Sequence, residues 1–261
     1  MSNKTLITVD RVRLGVAKLT LNNPPLNLNS IEMTRQLEKA LADIENDNSI
    51  RVVVITGAGD RAFCAGSDVH EFPEILDKFV ERKLRKENVV FDAVEDLSKP
   101  VIAAIEGVAL GGGCELAMAC DIRVMSETAR IGLPEVNLGV FGGSGGLIRT
   151  PKLIGLSRTM ELMFLGESIS AGEAERIGLV TRVVPSGQTV EFAVALAEKI
   201  AGKPFEAIKA IKKGVRECYC MTHQEALALN FKLTELVFHS PDCEEAVSAF
   251  LEKRAPKFTP V

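Results

Sequence analysis

Short apolar runs alternate with segments of helical periodicity along the first two thirds of this chain. The runs at residues 51–56, 101–105 and 122–125 are rich in valine, isoleucine and alanine. Runs of this kind are typical of strands that are buried on both faces of a parallel sheet. Ser30 opens a helical segment whose apolar residues recur every three or four positions. The alternation predicts an α/β fold in which largely parallel sheet layers are flanked by helices.

The two ends of the chain differ from this pattern. Alternating and β-branched residues at 5–9 and 16–21 predict a hairpin at the start. From Gln188 onward the pattern is helical throughout. We therefore expect an α/β core over residues 1–190 and a helical C-terminal segment over residues 191–261.

Local signals predict where several elements begin and end. One helix is expected to start at Cys114, after three glycines, and the last strand to cover residues 179–184. Capping boxes are expected at Ser170 and Thr222, each followed three residues later by a glutamate. A proline at a first helical position predicts a final helix over residues 242–254.

Composition excludes several classes of function. The 261 residues carry a formal net charge of −4, and a nucleic-acid binder would need a concentrated basic face. No stretch is long and apolar enough to span a bilayer, and the first residues lack the apolar core of a signal peptide, so we expect a cytoplasmic protein. Six cysteines and three histidines are scattered without the usual spacing of a metal site or a disulfide framework.

Two glutamates lie in unusually glycine-rich surroundings. Glu115 follows a triglycine and enters an apolar helical stretch, and Glu135 lies in a second glycine-flanked segment, at 131–139. A single acid in the first turn of a helix can merely complement the helix dipole. Gly112, however, places an unhindered N–H at the helix N-terminus, and the turn at 65–68 offers a second N–H after its own strand. Two N–H donors that converge on one oxygen would form an oxyanion hole, with Glu135 as a second acid or base opposite.

Two other glycine loops suggest different chemistry. Residues 57–62 match the spacing of a dinucleotide-binding fingerprint, but a second turn follows them where a helix is required. Residues 142–146 match the nucleophile motif of serine hydrolases around Ser144. In that fold the triad follows the order Ser, Asp, His, whereas Asp242 comes after both His223 and His239. A turn at a helix N-terminus is the better interpretation of this loop.

The sequence resembles the crotonase superfamily, specifically the enoyl-CoA hydratases. The resemblance covers nearly the whole chain and is carried by segments 55–68, 99–116, 134–139 and 249–254. It implies a spiral of ββα units, with residues 191–261 as a trimerisation segment. It also implies homotrimers or homohexamers, an acyl-CoA thioester as substrate, and a place in fatty acid metabolism such as β-oxidation. No nucleic-acid or membrane partner is expected, and neither is a metal or separate cofactor, because coenzyme A is part of the substrate.

The resemblance also implies roles for individual residues. Glu115 and Glu135 match the catalytic glutamates, and Ser67 and Gly112 match the backbone donors of the oxyanion hole. Residues implied to contact substrate or coenzyme A are Ala65, Gly66, Ser67, Asp68, Val69, His70, Phe250 and Lys253. The last two approach the coenzyme, often from a neighbouring subunit; an ordinary helix end explains them equally well.

Several positions depart from the pattern of many hydratases and leave the acyl group open. These are His70, Leu133, Gly143, Leu147 and Ile148. Hydration of a 2-enoyl-CoA is the leading hypothesis. Double-bond isomerisation, thioester hydrolysis and decarboxylation are the alternatives within the superfamily, and a non-catalytic acyl-CoA-binding protein is the alternative outside catalysis.

Overall fold

A computed structural model describes residues 4–258 of the chain. Its strands are β1 (Ile7–Arg13), β2 (Val16–Leu21), β3 (Val52–Gly57), β4 (Ala62–Cys64), β5 (Val101–Ile105), β6 (Val108–Leu110), β7 (Ile122–Ser126), β8 (Arg130–Gly132), β9 (Ile169–Ser170) and β10 (Arg182–Val184). Its α-helices are α1 (Ile31–Glu45), α2 (Phe72–Ile75), α3 (Arg85–Asp96), α4 (Gly112–Ala119), α5 (Gly146–Ile154), α6 (Leu156–Leu165), α7 (Ala171–Arg176), α8 (Thr189–Ala201), α9 (Phe205–Cys218), α10 (His223–Phe238) and α11 (Pro241–Leu251).

The strands form two sheets that the chain visits alternately. The larger sheet has the order β1-β2-β3-β5-β7-β10, in which only the β1–β2 hairpin is antiparallel. The smaller sheet has the order β4-β6-β8-β9, and its first three strands are parallel. The pairs β3 and β4, β5 and β6, and β7 and β8 each place one strand in either sheet before the chain turns helical. This is the predicted α/β spiral of ββα units.

The apolar runs that predicted the fold form its core. Every residue of β5 is fully buried, and β3 is buried up to Thr56. The two faces of the larger sheet pack separately, one on α1, α3 and α4, and the other on α8. Burial on both faces explains why these strands lack polar alternation.

Several predicted boundaries were wrong by a few residues. β1 continues past residue 9 to Arg13, because it pairs with β2 as far as the turn. The expected strand at 179–184 is confined to β10, because the N–H groups of Leu179 and Val180 donate to the Ala174 carbonyl at the end of α7. The final helix starts at Pro241 and ends at Leu251, not at 254.

Two of the predicted caps differ in completeness. Thr222 and Glu225 form the full reciprocal capping box at the start of α10. At α7 the Ser170 hydroxyl accepts from the Glu173 N–H, but the Glu173 carboxylate pairs with Arg176 instead of returning to the cap.

The segment between β4 and α3 is helical but irregular. It contains a 3-10 helix at Val69–Glu71, the short α2, a second 3-10 turn at Leu76–Lys78 and a π-helical turn at Val80–Leu84. Within residues 4–258, no helix is long and apolar enough to cross a membrane.

Candidate active site

The two predicted N–H loops lie side by side because their strands are neighbours. β4 and β6 pair in parallel, so the turn at 65–68 and the turn into α4 leave the same edge of the smaller sheet. Gly111 has a φ of +52°, which suits glycine and lets the chain enter α4 directly at Gly112. The predicted helix start at Cys114 was therefore two residues late.

Ser67 and Gly112 present N–H groups close to each other. The Asn29 N–H donates to the Gly66 carbonyl at 2.8 Å, and the Asp68 N–H donates to the Asn29 carbonyl at 3.1 Å. In a parallel bridge of this kind, the N–H of the residue between them, Ser67, is directed away from Asn29. Gly112 is the first residue of α4, where helix geometry leaves the N–H unpaired. A β carbon added to Gly112 would lie 3.8 Å from the Ser67 nitrogen.

Glu115 lies in the first turn of α4 and is only 2% exposed. Its Oε1 accepts a hydrogen bond from the Gly146 N–H at 2.8 Å, at the start of α5. Burial, followed by the negative charge of Glu135, raises the pKa of Glu115 to about 8. The carboxyl group can therefore hold or release a proton near neutral pH.

Glu135 lies in a 3-10 helix at Pro134–Leu138, which follows β8. Its Oε2 is buried and has no hydrogen-bond partner within residues 4–258. Burial raises the pKa of this carboxyl group as well. A buried carboxyl oxygen without a partner is costly, and it commonly marks a group that acts on a ligand.

The two carboxyl groups converge on one space. A β carbon placed on Gly142 would lie 3.1 Å from Glu115 Oε1 and 3.3 Å from Glu135 Oε1, so these oxygens are separated by no more than the sum of those distances. Glu135 Oε1 would also lie 3.1 Å from a β carbon on Gly111, next to the Gly112 donor. The site thus combines two N–H donors with two acids of raised pKa, an arrangement suited to stabilising an oxyanion while protons move beside it.

The remaining predicted contact residues lie in different surroundings. The Asp68 carboxylate caps the 3-10 helix at Val69–Glu71 and lies 2.9 Å from Nδ1 of the exposed His70. Phe250 is 82% exposed near the end of α11, and Lys253 follows that helix with a φ of +56°. The roles of residues 65–70, Phe250 and Lys253 in coenzyme A binding stay predictions.

The glycine loops at 57–62 and 142–146 do not form the sites that their motifs suggest. Residues 57–62 join β3 to β4, so no helix N-terminus follows them to receive a dinucleotide phosphate. The buried Ser144 hydroxyl donates to Glu87, while His223 and His239 are exposed. Residues 4–258 form neither a dinucleotide-binding turn nor a serine triad. The second turn after residues 57–62 indicated the first result, and the order of Asp242 and the histidines indicated the second.

Sequence reasoning missed the groups that support the site. It identified 142–146 as a turn before a helix, but not that the Gly146 N–H binds Glu115. It also did not identify Glu87, whose carboxylate accepts from Ser144. Neither contact has a local signal, because 31 and 57 residues separate the partners.

Comparison with known proteins places this geometry among characterised folds. A family model described as Enoyl-CoA hydratase/isomerase matches residues 11–260. The Short-chain-enoyl-CoA hydratase of Clostridium acetobutylicum is 39% identical over 241 residues, 92% of each chain. The 2,3-dehydroadipyl-CoA hydratase of Escherichia coli is 39% identical, over 93% of this chain and 94% of its own. The crystal structure of enoyl-CoA hydratase from Bacillus anthracis superimposes with a TM-score of 0.95 at 38% identity, covering 98% of this chain and 100% of that one.

Proposed function

This chain belongs to the enoyl-CoA hydratase/isomerase family, and we propose that it adds water reversibly across the 2,3 double bond of a 2-enoyl-CoA. The observation that carries the proposal is the pair of carboxyl groups, Glu115 and Glu135, that meet near Gly142. An isomerase can work with one acid, whereas adding water requires groups for both the water and the α carbon. Two converging acids therefore favour hydration.

The N–H groups of Ser67 and Gly112 would bind the thioester oxygen. Attack of water at the β carbon moves negative charge onto that oxygen, so fixed N–H dipoles stabilise the transition state more than the ground state. Removing one such donor typically costs about a hundredfold or more in kcat. Both donors are backbone groups that the parallel β4–β6 pair places next to each other.

Glu115 and Glu135 would share the proton transfers. The Gly146 N–H holds Glu115, which orients and activates the water, while Glu135 delivers or accepts the α proton. The reaction needs one ionised and one protonated acid. Because the pKa values of both groups are raised, the pair can retain one proton near neutral pH.

Coenzyme A binding is a further part of the proposal. We propose that the segment 65–70 contacts the coenzyme of the substrate, and that Phe250 and Lys253 approach it from a neighbouring subunit. The 82% exposure of Phe250 leaves its ring available to a second chain. No separate cofactor is required by this chemistry, and turnover by protein dialysed against a chelator tests that point.

Replacing Glu135 tests the proposed reaction. Glu135→Gln keeps the shape of the side chain but removes its acid, so hydration of crotonyl-CoA, followed by the loss of its ultraviolet absorbance, should fall by about a thousandfold. Glu127→Gln is the matched control, because Glu127 is an exposed glutamate after β7 and should leave the rate unchanged. Full activity in Glu135→Gln would refute the assignment.

The product distinguishes hydration from its alternatives. In water labelled with heavy oxygen, hydration adds one labelled oxygen and two hydrogens to the intact acyl-CoA. Isomerisation leaves the mass of the acyl-CoA unchanged apart from hydrogen exchange, hydrolysis releases free coenzyme A, and decarboxylation releases carbon dioxide. A panel of acyl groups in the same assay would identify the preferred chain.

The assembly and cellular setting are also proposals. We propose a homotrimer or homohexamer, with residues 191–261 supplying the contacts. Exposed apolar side chains on the C-terminal helices support this, including Val215, Phe231 and Phe238. We also propose a cytoplasmic location and a place in fatty acid metabolism such as β-oxidation.

A further inference from the structure

A buried ion pair lies directly behind the two catalytic loops. Lys83, in the π-helical turn, has a fully buried side chain, and Glu87, one turn later in α3, is only 2% exposed. Lys83 Nζ lies 3.2 Å from Glu87 Oε1. Burying two charges costs more than their mutual attraction returns unless further hydrogen bonds satisfy them, so such a pair is weak support for stability alone. Its other contacts indicate a different role.

Lys83 binds Asn29, whose backbone is hydrogen-bonded to the loop that carries Ser67. Its Nζ donates to the Asn29 carbonyl at 2.9 Å and to Glu71 Oε2 at 3.0 Å. The same Asn29 carbonyl accepts from the Asp68 N–H, and the Asn29 N–H donates to the Gly66 carbonyl. Asn29 therefore fixes the backbone on both sides of Ser67.

Glu87 uses its two oxygens on two different loops. Oε1 accepts from Asn29 Nδ2 at 3.0 Å and lies 3.5 Å from the Ser67 hydroxyl. Oε2 accepts from the Ser144 hydroxyl at 2.7 Å. Ser144 belongs to the same turn as Gly146, whose N–H holds Glu115. One carboxylate thus connects the loop of an oxyanion donor with the loop that orients a catalytic acid.

Neighbouring side chains strengthen the connection to the second loop. Asn88 Nδ2 donates to the Gly143 carbonyl at 3.0 Å, and a β carbon on Gly143 would lie 3.1 Å from Leu84. The π-helical turn that precedes α3 is a rare geometry that occurs frequently at functional sites. The charge of Glu87 also contributes to the raised pKa of Glu115, after burial and Glu135.

We propose that Glu87, neutralised by Lys83, is a positioning residue that sets the Ser67 N–H and the Glu115 carboxyl group relative to each other. The proposal rests on the proposed hydratase function, since it assigns Glu87 to the same reaction. Glu87 touches no reacting atom. It acts through Asn29 on one side and through Ser144 on the other.

Two variants cut these links separately. Glu87→Met removes both acceptor oxygens at similar side-chain length, and Ser144→Ala removes only the link toward Glu115. Misplacement of catalytic groups by a fraction of an ångström lowers the rate more than binding, so kcat should fall by about a hundredfold in Glu87→Met and about tenfold in Ser144→Ala, with KM changed less than about threefold. Ser126→Ala is the control, because Ser126 is a fully buried serine whose hydroxyl lies 3.1 Å from that of Thr128, and it should leave kcat unchanged.

Amide hydrogen exchange gives a readout that does not depend on turnover. Glu87→Met should speed exchange in both 65–70 and 142–146, whereas Ser144→Ala should speed it only in 142–146. Uniformly faster exchange along the chain in Glu87→Met would assign the pair a merely structural role and overturn the proposal. Wild-type kcat and wild-type exchange in Ser144→Ala would overturn it too, even if Glu87→Met does not fold.

The experiments also distinguish an error in the proposed reaction from an error in the proposed role of Glu87. If the wild-type protein does not hydrate any enoyl-CoA, the proposed reaction is wrong, but the exchange pattern of the two loops still decides whether Glu87 links them. If the wild type is active and the exchange pattern is absent, the reaction stands and the positioning role falls.

Discussion

Glu115 shows how burial sets the chemistry of one residue. Its carboxyl group accepts a backbone hydrogen bond from Gly146 and lies in an enclosed space beside a second acid. Backbone hydrogen bonds from Gly146 and Ser144 do not offset the loss of water and the repulsion from Glu135, so the protonated form is favoured and the pKa is raised to about 8. The same environment that prepares the group for proton transfer therefore lowers the stability of the fold when the group ionises.

The free energy of unfolding should therefore depend on pH. Because the pKa of Glu115 is raised from 4.5 to about 8 on folding, the free energy of unfolding falls as the pH rises between these values. The glutamine in Glu115→Gln cannot ionise. From about pH 5 to about pH 8, the free energy of unfolding of this variant should therefore rise by roughly 3 kcal/mol relative to that of the wild type. Urea unfolding at both values measures this difference. The raised pKa of Glu135 adds a slope of the same sign, which remains in the variant. An identical slope in both proteins would contradict the prediction.

The rate should show the loss of the same proton. Once the pH exceeds about 8, the pair of acids gives up the proton that one of them must carry, so kcat/KM for crotonyl-CoA should decline by about tenfold per pH unit above that value. Below the raised pKa of Glu135 both acids are protonated, and the rate should decline again. A profile that stays flat from about pH 6 to about pH 10 would contradict the assignment of both acids.

Residues differ in how far the sequence reveals them. Glu115, Glu135, Ser67 and Gly112 were predicted because each follows a strand within a few residues and belongs to a recognisable motif. Glu87 was not, since an acid among other charges on a helix has the pattern of a solvated face. Its burial depends on the packing of α3 beneath two loops that are distant in sequence.

At the level of elements, the entry into α4 depends on a close approach of two backbones. A β carbon on Gly113 would lie 2.0 Å from the Cys64 carbonyl oxygen at the end of β4. Only glycine lets α4 pack this near to β4, and that distance brings Gly112 beside Ser67. The triglycine is therefore a requirement of packing as well as of the proposed oxyanion hole.

Adding one methyl group tests that requirement. Gly113→Ala should lower the free energy of unfolding by about 3 kcal/mol, because a backbone atom must move, and should reduce kcat as α4 shifts from β4. Gly172→Ala is the matched control, since nothing lies within 4 Å of its β position in α7. That variant should be neutral or more stable by about 0.5 kcal/mol in chemical denaturation. Equal stability of both variants would contradict the close approach.

Elements were predicted well where one local pattern dominates. β5 has the predicted bounds, and α1 begins right after its Ser30 cap, as that cap and the apolar spacing indicated. The segment between β4 and α3 was not resolved into its four short turns. Its apolar residues recur at helical intervals throughout. Pro73 lies in the first turn of α2 and Lys83 binds Asn29 and Glu71, but neither feature is visible as a change of period.

At the scale of the molecule, the alternation of strands between two sheets brings the residues of the candidate site together. Each ββ pair delivers the turn after its second strand to one edge of the smaller sheet, so β4, β6 and β8 are followed by Ser67, Gly112 and Glu135 in turn. Residues 68 positions apart in sequence meet there because the fold repeats one unit. The resemblance implied these units, but the short strands β4 and β6 were not predicted from their own residues.

The C-terminal helices expose an apolar surface that a single chain leaves uncovered. α9 and α10 enclose a groove of about 500 Å³ lined by Ile211, Val215 and Phe238, and their exposed fractions are 61%, 71% and 68%. Apolar surface of this kind is typical of contacts between subunits. If residues 191–261 assemble the protein, these side chains are buried in the assembly.

Sedimentation should therefore report three or six chains for the wild type and a smaller species for the double variant Val215→Asp with Phe238→Asp, because buried unpaired carboxylates oppose association. Leu14→Asp is the control, since Leu14 is 89% exposed at the β1–β2 turn and outside this surface, and it should keep the wild-type mass. If Phe250 and Lys253 complete a neighbour's coenzyme site, the double variant should also raise KM for crotonyl-CoA by about tenfold or more. A monomeric wild type, or a double variant of unchanged mass, would contradict assembly through these helices.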